Sequence, residues 1–234
     1  MTAAPDTQKK SEDLNFSEKL SDFIQKNRKT ILIGFAILLV ILAGVIIITT
    51  VRDNLRSKAL SKVEEFIRTY NSLRITDSAD DPNMIFKAIE TAAFMEEVSA
   101  FASKNSGYAS AKAYSLYADI QWDQQKYAEA EKAWLNSAKA AAKSYLAPVS
   151  YYNAAVAAEE QGNIGSAIEH YKMALGFGNV FPSAARAQFS VGRLEESRDN
   201  TEAALGAYRS LLSTWPDDPV WSNLAQSRIL ALSR

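Results

Sequence analysis

The longest uninterrupted apolar segment of the chain runs from Thr30 to Val51. These 22 residues carry no charge, and fifteen of them are Leu, Ile, Val or Phe. A helix of that length spans about 33 Å, close to the roughly 30 Å hydrocarbon core of a bilayer. Buried helices of soluble proteins rarely exceed about 14 unbroken apolar residues. The pattern therefore predicts a transmembrane helix at residues 30–51.

The flanks of this segment predict an uncleaved anchor with its N-terminus in the cytoplasm. A cleaved signal peptide has an apolar region of about 7 to 15 residues followed by a small-residue cleavage site, and neither feature is present. Lysine and arginine are equally frequent in the 15 residues on either side of the segment. The cluster of Lys26, Arg28 and Lys29 directly precedes it, however, which favours that side staying in the cytoplasm. The larger C-terminal part would then be periplasmic.

Residues 1–29 form the predicted cytoplasmic tail. Residues 1–13 are polar, and we expect them to be disordered. The following stretch places four apolar residues on one face of a short amphipathic helix: Phe16, Leu20, Phe23 and Ile24. Two interpretations remain open. The stretch is an interfacial helix or a contact for a cytoplasmic partner, or it is the anchor helix continuing into solvent.

After the apolar segment the pattern is helical throughout. Residues 52–107 contain an amphipathic stretch, a polar loop at residues 76–83 and a second helical stretch at residues 84–104. We interpret residues 52–107 as a helical linker and a degenerate first repeat.

From residue 108 to residue 216 the chain repeats itself every 37 residues. Each unit reads as two amphipathic helices joined by a short polar turn. Small residues on the two helices would let their backbones approach closely, and an aromatic residue would fill the space beside that contact. The corresponding positions are Ala118, Ala155 and Gly192 on the first helices, and Ala130, Ala167 and Ala204 with the aromatics Trp134, Tyr171 and Tyr208 on the second helices.

These positions, together with Pro216 at the end of the third unit, resemble the tetratricopeptide repeat (TPR). The resemblance implies an all-α fold: a right-handed superhelical stack of TPR-like helical hairpins preceded by one transmembrane helix. The 37-residue spacing exceeds the usual 34 residues of the family, so the linkers between units are expected to be longer. Residues 217–234 would form a C-terminal capping helix, with Asp218 as its N-cap and with Leu224, Ile229 and Leu232 packed on the third unit.

Composition adds arguments against catalysis and against several ligand classes. The net charge is -1, there is no cysteine, and His170 is the single histidine. Nucleotide-binding, protease and metal-binding motifs are absent from the sequence. We interpret His170 as a surface residue, and we interpret acidic pairs such as Glu159/Glu160 and Glu195/Glu196 as solvated helix charge. The sequence predicts no enzymatic activity, no cofactor or metal site, and no nucleic-acid or small-molecule ligand.

Binding of proteins or extended peptide segments is the function that such a stack suggests. The concave face of stacked hairpins is lined mainly by the first helices. By the pattern of the family, this groove would include Lys112, Ser115 and Asp119 of the first unit, and Val156 and Glu159 of the second. The candidate binding residues are the aromatic anchors Trp122, Tyr152 and Phe189 and the cations Arg186 and Arg193. The alternative is that these aromatic residues only pack against neighbouring helices.

The layout of the whole chain resembles the bacterial YfgM-type family, ancillary subunits of the Sec translocon. The segments that carry this resemblance are "FIQKNRKTILIGFAILLV", "VRDNLRSKAL" and the repeats that follow them. The resemblance implies an inner-membrane protein with a periplasmic domain that associates with the translocon and with periplasmic chaperones. A periplasmic scaffold for envelope assembly or division, and a cytoplasm-facing adaptor, are the alternatives.

Overall fold

The structure is a computed structural model. It describes the backbone of residues 6–75 and 84–233 and the side chains of residues 16, 18–73, 90–178 and 180–233. The predicted loop at residues 76–83 and the first five residues of the tail lie outside the described residues. The helices are α1 Asp6–Ile75, α2 Met84–Lys104, α3 Gly107–Asp123, α4 Tyr127–Ala140, α5 Leu146–Glu160, α6 Ile164–Leu175, α7 Ala184–Glu196, α8 Thr201–Thr214 and α9 Trp221–Leu232. The described part of the chain contains no strand, so the predicted all-α fold is confirmed.

The chain divides into two compact units, Met1–Ser57 and Lys58–Arg234. In the described part of the first unit the backbone is a single helix, and it includes residues 6–13, which we expected to be disordered. No Gly or Pro occurs between residues 6 and 33, so each residue can extend the helix by one further hydrogen bond. The helix is also continuous through residues 14–29, as the second interpretation of the tail requires.

The apolar segment of α1 is long and apolar enough to cross a membrane. Its large side chains are exposed, Leu32 and Ile46 among them, so this stretch is not the core helix of the described fold. The hydroxyl groups of Thr49 and Thr50 donate to the carbonyl oxygens of Val45 and Ile46, at 2.8 to 3.0 Å. These two hydroxyls are therefore satisfied by the backbone of their own helix, as an apolar solvent requires.

The second unit consists of helical hairpins. The three central hairpins are α3/α4, α5/α6 and α7/α8, and we refer to α3, α5 and α7 as first helices and to α4, α6 and α8 as second helices. The part of α1 that follows Lys58 packs together with α2 and α3. Their shared apolar core contains Val63, Phe66 and Val98. At the other end α9 packs against α8 through Ala225 and Leu211.

The contact between the two helices of a hairpin follows the predicted pattern of small and aromatic residues. Ala118, Ala155 and Gly192 are buried, and so are the aromatic rings of the three units. A Cβ atom built on Gly192 would lie 2.5 Å from Cε1 of Tyr208, well inside van der Waals contact. The third hairpin is therefore packed so closely that only glycine fits at residue 192.

The turn inside each hairpin has the same conformation in all three units. A residue two or three positions after the end of the first helix has positive φ, between 59° and 71°. The N–H of the next residue donates to a carbonyl five residues earlier, as in a Schellman motif. Glycine is the residue that adopts this left-handed conformation without strain, yet it occurs in only one of the three turns. The positive-φ residues are Gln125, Gly162 and Asp199.

The C-terminal helix agrees with the prediction except at one residue. Oδ1 of Asp218 accepts hydrogen bonds from the backbone N–H groups of Val220 (3.0 Å) and Trp221 (2.8 Å), so its side chain caps the start of α9 from two residues before the N-cap position, which Val220 occupies. Ile229 and Leu232 pack against the core of α8 and α9. Leu224 was predicted to do the same, but this prediction was wrong, because Leu224 lies on the solvent-facing side of α9.

Candidate functional site

Side chains of α1 and α3, with Leu146 at the start of α5, meet around a cavity of about 380 Å³. The cavity lies between the last turns of α1, the length of α3 and the start of α5. The four positions that the sequence predicted for the first unit all line it: Lys112, Ser115, Asp119 and Trp122. Ile67 and Tyr70 of α1 also line it, and neither was among the predicted groove residues.

The polar groups of this cavity form a network within the protein. Nζ of Lys112 lies 2.6 Å from a carboxylate oxygen of Glu64, and the hydroxyl of Tyr70 donates to Asp123 at 2.5 Å. The indole ring of Trp122 packs against Tyr127, with ring centroids 5.0 Å apart, and against Trp134 at 5.7 Å. Trp122 is therefore in part a packing residue, as the alternative interpretation of the aromatics holds.

A second group of predicted residues meets on α5 and α7, together with α9. The guanidinium of Arg186 lies over two aromatic rings, 5.6 Å from the centroid of Tyr152 and 5.9 Å from that of Trp221. The ring of Phe189 lies 5.4 Å from Trp221 and 5.4 Å from Tyr208. We call Tyr152, Arg186, Phe189 and Trp221 the aromatic–arginine patch. Its three rings are half-buried, and Arg186 is exposed.

Trp221 is the member of this patch that sequence reasoning missed. It lies in the helix that we interpreted only as a cap, and its spacing to the third unit is not 37 residues. The signal was nevertheless present, because Trp221 follows Arg186 by 35 residues and Arg228 follows Arg193 by the same number. The same offset marks α9 as a further first helix.

Burial raises the pKa of two tyrosines on the first helices above the ordinary value of 10.0. Burial raises the pKa of Tyr152, while the nearby guanidinium of Arg186 acts in the opposite direction. At the N-terminal end of α3, burial and a 2.6 Å hydrogen bond with the hydroxyl of Tyr145 raise the pKa of Tyr108 to about 12. These phenols are therefore hydrogen-bonding groups and not charges at physiological pH.

Arg193, the fifth candidate, is already engaged within the protein. It pairs with Glu159, whose other carboxylate oxygen accepts a 2.6 Å hydrogen bond from the hydroxyl of Tyr171. The same arrangement occurs one repeat later, where Glu196 pairs with Arg228 and accepts from Tyr208. The interpretation of these glutamates as solvated charge was therefore wrong, because each one joins a second helix to the next first helix.

His170 is also placed differently from the prediction. It is buried, with its side chain 10% exposed, and Nε2 lies 2.9 Å from Oε1 of Glu131 on the neighbouring second helix. The other oxygen of Glu131 accepts from Gln161 at 2.7 Å. The surface assignment failed because Glu131 of the preceding unit reaches His170, which the sequence pattern of one helix does not reveal.

Among the described side chains, no group of three or more His, Asp and Glu residues could hold a metal ion. The arrangement instead offers aromatic edges, an exposed guanidinium and a partly open cavity, which are groups that bind protein segments.

The fold and this face define a helical-repeat protein built from stacked hairpins. Residues 96–146 and 152–219 match the family described as "Tetratricopeptide repeat". A TPR repeat-containing protein of Treponema pallidum (strain Nichols) is 31% identical over 201 residues, which cover 82% of this chain and 82% of that protein. The chain belongs to the tetratricopeptide repeat family. The solved structure of MamA AMB-1 is 18% identical with a TM-score of 0.43, and the match covers 72% of this chain and 94% of that one.

Proposed function

We propose that this chain is a membrane-anchored scaffold that binds proteins or extended peptide segments along its first helices. We propose further that it is an accessory factor at the Sec translocon of the bacterial inner membrane. There it would link emerging chains to periplasmic chaperones, with the N-terminus in the cytoplasm and the repeats in the periplasm. The observation that carries the binding function is that α1, α3 and the start of α5 form the 380 Å³ cavity, while α5, α7 and α9 form the aromatic–arginine patch.

The anchor is supported by the apolar segment of α1. Its large side chains are exposed, and a stretch of this length in water would be a severe aggregation hazard. A bilayer removes that surface from water and matches its length. Confinement near a membrane raises the effective concentration of the repeats toward a membrane partner to about the millimolar range. Weak contacts in the groove are then sufficient for function.

Site-specific photo-crosslinking in membranes tests the binding function. A photoreactive residue at Asp119 lies at the rim of the cavity, whereas one at Lys139 lies on the exposed side of a second helix. We expect adducts with translocon subunits or nascent chains from Asp119 and few from Lys139. Equal yields from both positions would exclude the groove as the binding surface.

Co-purification in mild detergent separates the translocon role from the envelope-assembly alternative. We expect translocon subunits to be retained with the full chain. If cell-division or envelope-assembly proteins are retained instead, the scaffold function stands and the translocon role is wrong.

A further inference from the structure

The cations on the first helices and on α9 differ in how their charge is compensated. Those four helices carry four lysine or arginine residues in total. Three of the four have a carboxylate partner within the protein: Lys112 with Glu64, Arg193 with Glu159, and Arg228 with Glu196. The fourth, Arg186, has no ion pair among the described residues, and it lies over two aromatic rings instead.

The position between two rings prepares Arg186 to bind a carboxylate. Aromatic rings attract the face of a guanidinium, while its N–H groups point outward in the guanidinium plane. These N–H groups fit the two oxygens of a carboxylate, and the contact with the rings restricts the side chain before the ligand arrives. The exposure of Arg186 leaves this edge accessible to a partner.

The surroundings of Arg186 indicate what lies beside that carboxylate. Phe189 and Trp221 are half-buried rings 5.4 Å apart, so part of their apolar surface stays open to a ligand. Tyr152 contributes a neutral phenol on the other side. An apolar or aromatic side chain next to the acidic one would therefore be buried at the same time.

We propose that Arg186 binds the side-chain carboxylate of an Asp or Glu in an extended peptide segment, and that the neighbouring apolar side chain packs on Phe189 and Trp221. This inference rests on the proposed binding function and names the chemistry of its ligand. It predicts that clients are recognised by acidic residues next to apolar ones.

Fluorescence anisotropy with the detergent-solubilised full chain tests this. The first probe is a labelled, C-terminally amidated peptide with the central sequence Glu-Phe-Asp-Leu. A second probe replaces these acids by Gln and Asn, and a third is that neutral peptide with a free C-terminal carboxylate. We expect the acidic probe to bind about tenfold more tightly than the neutral amide, since hydrogen bonds to charged groups are the strong ones. Equal affinity of these two probes, or no binding of the acidic probe, overturns the inference.

Variants of the arginine locate the effect. Arg186→Gln should abolish the preference for the acidic probe, and Arg186→Lys should lose most of it, because lysine keeps the charge without the planar fork. Arg209→Gln removes an equal charge from an exposed site on α8 and should keep the preference. Preference retained in Arg186→Gln, or lost equally in Arg209→Gln, contradicts the assignment to Arg186.

Two further outcomes distinguish this inference from the function on which it rests. If the free C-terminal carboxylate binds as tightly as the internal acids, the proposed side-chain specificity is wrong. If the acidic and neutral probes bind equally and photo-crosslinks still form at Asp119, the scaffold function stands and only the carboxylate site is rejected.

Discussion

Gly192 is the residue whose size the packing of the chain constrains most clearly. Alanine is tolerated at the equivalent positions of the other two units, where Ala118 and Ala155 are fully buried. At residue 192 a methyl group would lie within 2.5 to 2.8 Å of three ring atoms of Tyr208. The constraint comes from the ring of Tyr208, which occupies the space where a side chain at residue 192 would begin.

We expect Gly192→Ala to destabilise the repeats by about 1–3 kcal/mol, since the ring or the helix must shift to admit the methyl group. Gly206→Ala on α8 is the matched control, because its Cβ would meet nothing within 4 Å. This control should be neutral or stabilising by up to about 1 kcal/mol. Urea unfolding followed by circular dichroism measures both, and an unchanged midpoint for Gly192→Ala would contradict the close approach.

The buried tyrosines predict a loss of stability at alkaline pH. Burial and the hydrogen bond to Glu159 raise the pKa of Tyr171 above the ordinary value of 10.0. Above that pH the unfolded chain releases the phenolic proton and the folded chain retains it, so stability falls as pH rises from about 10 toward the folded pKa. The melting temperature should therefore fall less between about pH 9 and about pH 11 in Tyr171→Phe than in the wild type. A loss of the same size in both would show that Tyr171 is not linked to this transition.

At the scale of the secondary-structure element, the turns of the three hairpins share one backbone conformation, although their sequences differ. Gln125 and Asp199 adopt positive φ angles of 59°, at the position where Gly162 adopts 71°. We expect Gln125→Gly to stabilise the first hairpin by up to about 1 kcal/mol, because the left-handed conformation strains a residue with a Cβ. Gly162→Ala should destabilise the second hairpin by a similar amount. Thermal melts of the two variants test this, and shifts of the same sign would argue against it.

The Tyr–Glu–Arg contacts connect the second unit to the third and the third unit to α9. Arg193 is 49% exposed, so its pair with Glu159 is partly screened by solvent. A double-mutant cycle of Glu159→Gln and Arg193→Gln should give a coupling of about 0.5–1 kcal/mol that weakens in high salt. The same cycle with the exposed Arg209 in place of Arg193 should give none. Absence of coupling in the first cycle would mean that the pair does not hold the repeats together.

The first unit lacks this contact between repeats. Trp122 occupies the position of Glu159, and Val156 occupies that of Arg193. The joint between the first two units instead uses Glu131, which contacts Gln161 and His170. Glu131 therefore connects the first unit to the second, and Glu159 connects the second unit to the third, so substitutions at these two residues should affect different pairs of repeats.

At the scale of the whole molecule, the proposed membrane anchor predicts a defined topology for the repeats. The chain has no cysteine, so single cysteines can report exposure to a membrane-impermeant maleimide without background. In intact spheroplasts we expect labelling of Ser213→Cys in the repeats and not of Lys19→Cys in the tail, both at exposed sites. After lysis both should react. The reverse pattern would place the repeats in the cytoplasm and support the adaptor alternative.

The sequence by itself determined the helical class, the 37-residue period and the apolar segment of α1. These features depend on local periodicity and on the size of side chains, and both are visible in the linear amino-acid sequence. The period also identified the buried positions, because equivalent residues of a stack occupy equivalent environments. Ala155 and Tyr171 were found in this way.

Only the tertiary structure decided which polar residues are partners. The hydrogen bond of Glu159 to Tyr171 spans 12 residues, its pair with Arg193 spans 34, and that of His170 with Glu131 spans 39. Such contacts depend on how neighbouring helices are oriented toward each other, and the sequence pattern of a single helix does not indicate that orientation. The same reason explains why Trp221 joined Arg186 in the patch although its own helix read only as a cap.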